Sequence, residues 1–128
     1  MFAAKFLTFC TWSARLLIIP ALAVVIWGEL AATGGPPLGL WDKLLHFIAY
    51  FGLAGMSLVA LRPGRWALWT TAALIAMGGM LEIIQGMIGR DASWGDELAN
   101  TLGAVIGCAL GWGIVRLLER AAGSANRS

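Results

Sequence analysis

Three groups of polar residues in an otherwise apolar chain have types and spacings that could do chemistry. The first is Asp42, Lys43, His46 and Tyr50. At 100° per residue, Lys43, His46 and Tyr50 fall within about 60° of one another, so a helix carries them on one stripe about 10 Å long. His46 is the single histidine and Tyr50 the single tyrosine of the chain. The second group is Glu82, Gln85 and Gly86. The third runs through Arg90, Asp91, Ser93, Asp96, Glu97 and Asn100, and below it Gly103, Gly107 and Gly111 repeat a small-x-x-x-small pattern. His46, Glu82 and Asp96 are residue types suited to general acid–base work. Lys43, Arg90 and His46 are types that grip a phosphate, Arg with a bidentate fork.

Plainer roles stand beside these. Asp42 suits a helix N-terminus, Lys43 can snorkel, and Tyr50 could be an interfacial aromatic, although it lies deep for one. Ser93 with Asp96 three residues on resembles a capping box, and Asp96 and Glu97 suit the positive end of a helix dipole. Glu82 could be a buried ion pair or hydrogen bond with Lys43, Arg90 or His46. The glycine stripe reads as helix packing that positions the polar residues above it. Local capping does not account for His46 or for Asn100, one turn deeper than Asp96.

The elements that must hold these residues follow from composition. Of 128 residues, 59% are hydrophobic and only 12% are Asp, Glu, Lys or Arg, and the mean hydropathy is +0.80. Soluble domains carry about 25% charged residues, so a soluble enzyme, a secreted disulfide scaffold and a disordered tail are excluded. A helix crossing a hydrocarbon core of about 30 Å needs about 20 mostly apolar residues. Four stretches qualify: Leu16 to Leu30, with a start as early as Phe6 and Pro20 inside; Leu44 to Leu61; Trp66 to Ile88; and Asp96 to Leu118. Breaker-rich connectors separate them at Thr33–Pro37, Arg62–Arg65 and Gly89–Gly95. Lys5, Arg15 and Ala31-Ala32 imitate a signal peptide, but Arg15 and Glu29 fit a retained helix better. The expected fold is all-α: a four-transmembrane-helix bundle forming one domain over 1–122, with a polar tail over 123–128.

Orientation follows from basic residues in the short loops. With four spans, seven of the nine Lys and Arg residues share the side of both termini, leaving Lys43 and Arg90 on the other. Both termini are therefore expected in the cytoplasm. Six of the seven acids, all but Glu119, then lie at or near the outer face, an asymmetry that insertion does not explain. Glu82, 16 residues past Trp66, sits about 24 Å across the core and is still within hydrocarbon. Three helices thus carry polar residues at one depth, where exposure to lipid is costly. The expected ligand-binding set is Asp42, Lys43, His46, Tyr50, Glu82, Gln85, Arg90, Ser93, Asp96 and Asn100.

From Asp42 to Gly107 the chain resembles the VanZ-like family of small bacterial membrane proteins. The likeness rests on Asp42-Lys43-x-x-His46-x-x-x-Tyr50, Glu82-x-x-Gln85, Arg90 through Ser93 and Asp96, and Asn100-x-x-Gly103-x-x-x-Gly107. The namesake of that family is associated with resistance to the glycopeptide teicoplanin. The resemblance implies a multi-pass protein of the bacterial inner membrane, with an outward-facing polar cluster linked to the cell envelope. Glu97 departs from the pattern, standing where the family would have an apolar residue.

The favoured function is binding or handling an envelope ligand, such as a lipid-linked precursor or an amphiphilic antibiotic. The acidic balance suits hydroxyl, amide or amine groups better than a bare anion. A subunit of a larger membrane complex is the alternative, and a hydrolase or transferase using His46 and carboxylates a second one, for which no nucleophile motif is present. No cofactor and no nucleic-acid partner are expected. Cys10 and Cys108 lack metal or redox spacing; one histidine with two carboxylates is a permissible zinc set, but no metal is assigned.

Overall fold

The computed structural model describes residues 2–31, 39–89 and 92–124. Four helices follow one another, α1 (Phe2–Leu30), α2 (Leu40–Leu61), α3 (Arg65–Met87) and α4 (Trp94–Ser124), with no strand among the described residues. Each is long and apolar enough to cross a membrane. The chain is an all-α, four-helix membrane protein.

The breakers end the helices by identifiable means. Arg62 takes a left-handed φ of 67°, and its N–H returns to the Leu58 carbonyl at 2.8 Å. Pro63 then disfavours further helix. At the end of α3, Ile88 N–H bonds the Ile84 and Gln85 carbonyls and Gly89 sits at φ 83°, the position where glycine escapes the Cβ penalty. Most helices run longer than hydropathy predicts. α1 begins at Phe2, α2 at Leu40 and α4 at Trp94, and Gly123 and Ser124, expected in the polar tail, complete α4. The rest of that tail lies outside the described residues.

α2 and α4 are the most closely packed pair, and they run parallel. A Cβ on Gly103 would collide with the Phe47 carbonyl oxygen, and one on Gly107 with that of Phe51. At Gly111 it would lie 3.0 Å from Leu58 Cδ2. A four-residue repeat of glycine on α4 thus meets a four-residue repeat of carbonyls on α2, and the two backbones touch. Around this seam Tyr50, Leu53, Ala54, Leu58, Ala104, Cys108 and Val115 form the core. α1 and α3 flank it.

The two ends of the bundle differ. At one, Arg15 Nε donates to the Ala60 carbonyl at 2.9 Å, and Glu119 meets Arg62 at 3.5 Å and Arg116 at 3.4 Å. Arg15, Arg65 and Arg116 each lie over a tryptophan, Trp12, Trp66 and Trp112, at 5.1–5.7 Å. This is the basic end. Arg15 is level with Ala60, so the stretch from Phe2 to Ala14 extends past α2 beside the last turns of α4. There Leu7 joins the same core cluster as Val115. The opposite end gathers the acids.

Candidate functional site

At the acidic end, α1 and α3 finish and α2 and α4 begin, so four helix termini deliver their polar residues to one place. His46 is at its centre, 7% exposed. Its Nδ1 lies 3.1 Å from Asn100 Oδ1 and 3.6 Å from Glu29 Oε1. Both neighbours are acceptors, so Nδ1 is the donor. Nε2 faces Asp42, whose Oδ1 is 4.0 Å away, beyond hydrogen-bond reach. Asn100 is fully buried, and its amide and the Glu97 carboxylate occupy a notch that Gly78 leaves in α3.

A second line of contacts runs through α3 and α4. Lys43 Nζ reaches Asp96 Oδ1 at 3.1 Å, the lysine half-exposed and the aspartate buried. Lys43 gets there across Gly95, where a Cβ would lie 2.7 Å from its Cε. Glu82 accepts the Ser93 backbone N–H at 2.9 Å through Oε2. Its partner is therefore neither Lys43 nor His46. Ser93 Oγ accepts from Gly95 N–H at 3.2 Å, so Ser93 does cap α4. The reciprocal half of the expected capping box is corrected, because Glu82 of α3, not Asp96, takes the Ser93 N–H. Asp96 is thereby released to meet Lys43.

Gln85 and Tyr50 buttress the site from below and beside. Gln85, 3% exposed, donates Nε2 to the Glu29 carbonyl at 2.8 Å, tying the end of α3 to the end of α1. Tyr50, fully buried, sets its hydroxyl toward the Glu29 carboxylate. Arg90, expected at the rim, lies outside the described residues. Glu29 is the residue that reading by motif passed over. It counts among the outer acids in the sequence, yet only depth marks it as part of the site: it is one residue from the end of α1, level with His46. Gly78 and Gly95 make room for Asn100 and Lys43; Gly78 carries no periodic signal, whereas Gly95 stands in phase with the stripe of Gly103, Gly107 and Gly111.

Two clefts flank the cluster. One, of about 320 Å³, lies between α1 and α2 with Val24, Gly28, Leu45 and Ala49 on its walls and Glu29, Asp42 and His46 at its polar side. The other, of about 370 Å³, lies between α3 and α4, with Ile83 and Trp94 beside Glu82, Ser93 and Glu97. Val24, Leu45, Ile83 and Trp94 are all more than half exposed, on the surface that lipid would cover. The arrangement can hold a polar head at the carboxylates and imidazole while apolar walls run along its tail. No family model, no curated protein and no solved structure matches the chain.

Proposed function

We propose that the acidic end of the bundle is a binding site for the head of an envelope amphiphile, a lipid-linked precursor or an amphiphilic antibiotic bearing hydroxyl, amide or amine groups. The observation that carries this reading is the cleft between α1 and α2, apolar on its walls and lined by Glu29, Asp42 and His46 on its polar side. Buried carboxylates and one imidazole accept hydrogen bonds and attract ammonium groups; they repel phosphate. In this reading the chain sits in a bacterial inner membrane with both termini cytoplasmic, and the acidic end faces outward. Its VanZ-like motifs agree with that setting.

A second reading has a specific observation behind it. Gln85 to Glu29, Ser93 to Glu82 and His46 to Asn100 join all four helices by hydrogen bonds, which suits a network kept for helix register inside a larger complex. One experiment separates the two. The full chain is purified with native lipids and the co-purifying molecules are identified by mass spectrometry, for the wild type and for His46→Ala and Glu82→Gln. A ligand site requires a defined amphiphile on the wild type that is lost from folded variants with near-normal melting temperature. Loss that tracks a lowered melting temperature, or a wild type carrying only bulk lipid, overturns it.

A further inference from the structure

Asp42, His46 and Asp96 each bring one metal-ligating atom to within 4.8 Å of the others. Asp42 and His46 stand at i and i+4 on α2, one above the other on the helix face, and Asp96 comes across from the first turn of α4. Three further features separate this trio from an ordinary cluster of acids. Nδ1 of His46 is engaged by Asn100 Oδ1, the arrangement by which metal-binding histidines fix their tautomer and aim the other nitrogen. His46 is nine-tenths buried, and the Asp42 carboxylate oxygen before its Nε2 stands 4.0 Å off. Glu82, also nine-tenths buried and within electrostatic range of Asp96, keeps Oε1 without a hydrogen-bond partner among the described residues.

The charge balance points the same way. Asp42, Glu82, Asp96 and Glu97 converge on one helix-bundle end, and among the described residues the ammonium of Lys43 is the only lysine or arginine charge in an ion pair with these four. Buried carboxylates are stable when paired or when they coordinate a cation. Lys43 occupies Asp96 from a flexible, half-exposed stem, and it can swing to solvent when a stronger cation arrives. One nitrogen with two carboxylate oxygens suits a first-row divalent ion, and Zn²⁺ accepts that donor set at about 2.0–2.2 Å.

We infer that Asp42, His46 and Asp96 form a divalent-cation site of the Zn²⁺ type, with Asn100 orienting the imidazole and Lys43 as the resident charge that the metal displaces. This goes beyond the amphiphile reading and is tested without any amphiphile, so either can fail alone. The full chain in detergent is stripped with EDTA, dialysed, and titrated with Zn²⁺ by equilibrium dialysis with elemental detection, alongside thermal unfolding of every sample. The expected result is one Zn²⁺ per chain on the wild type. His46→Ala and Asp42→Asn should weaken binding at least about 100-fold, and Asn100→Ala by about 10–100-fold, as for groups that orient a ligand. Lys43→Met should tighten it, because the competing ammonium is gone. Absence of stoichiometric Zn²⁺ on a folded wild type overturns the site. So does uptake undiminished in Asp42→Asn, or uptake weakened by Lys43→Met. Those two positions are partly exposed, so they decide the matter even if His46→Ala does not fold.

Discussion

Glu82 spends one carboxylate oxygen on the Ser93 N–H and leaves the other without a hydrogen-bond partner among the described residues. Its two simplest variants therefore differ in a predictable way. Glu82→Gln keeps an acceptor for Ser93 and turns the second atom into an amide donor facing the acidic cluster, so it should fold with little change in stability. Glu82→Ala strands the N–H at the start of α4 and should cost about 1–3 kcal/mol, read as a lower midpoint in thermal unfolding of the detergent-solubilised chain. Equal loss in both variants would mean that the charge of Glu82, not its hydrogen bond, holds α4 in place. Residues of this kind differ in how far a sequence exposes them. His46, Asn100 and Gln85 are legible because an apolar helix offers a polar side chain nothing on its lipid face, so depth and helical phase alone send them inward. The exchange of partners at Ser93 is not legible. A Ser-x-x-Asp spacing describes what the local chain offers, and the competing acceptor comes from a helix eleven residues upstream.

At the scale of elements, the seam between α2 and α4 is the most demanding contact. Gly103→Ala must push backbone from backbone, because the obstruction is the Phe47 carbonyl and not a mobile side chain. A loss of about 1–3 kcal/mol is expected from such overpacking, and Gly107→Leu should prevent normal packing of α4 altogether. Gly113, on the same helix with nothing within 4 Å of its Cβ position, is the control. Gly113→Ala should be neutral or stabilising by up to about 1 kcal/mol from helix propensity. Thermal unfolding of the alanine pair checks the sign difference, and destabilisation by both would show that the effect is generic to α4. The existence and order of the four helices are readable from hydropathy, and the glycine period marks a packing face. The helix ends are less so. Leu7 and Val115 belong to one core cluster, a packing of the first turns of α1 with the rest of the bundle that a window average does not show.

For the molecule as a whole, the separation of charge is the property with the most direct test. Arg15, Arg62, Arg65, Arg116 and Arg120 belong to one end, and Glu29, Asp42, Glu82, Asp96 and Glu97 to the other. Since basic loops are retained on the cytoplasmic side, a reporter fused after Ser128 should register cytoplasm, and one inserted at Gly34-Gly35 the opposite side. A reversed pattern would turn the acidic cluster toward the cytoplasm and remove the outward-facing ligand reading.

The unequal helix lengths have a further consequence, which concerns the bilayer. At 1.5 Å per residue, α2 and α3 span about 33–35 Å, close to an average hydrocarbon thickness, whereas α1 and α4 span about 43–47 Å. At the acidic end α1 stops near the level of His46, inside the start of α2, and its excess runs past the basic end, where Phe2, Phe6, Phe9 and Trp12 are exposed. A surplus of apolar helix is accommodated by tilting, by bending or by locally thickening the membrane. Pro20 withdraws the hydrogen bond due to the Leu16 carbonyl, one residue from Arg15, where the overhang starts. Mismatch strain in a thin membrane is therefore concentrated at the joint between Leu16 and Pro20 and at the overhang beyond it. The acidic end, where the imidazole and carboxylates lie, is the end of the bundle away from that joint.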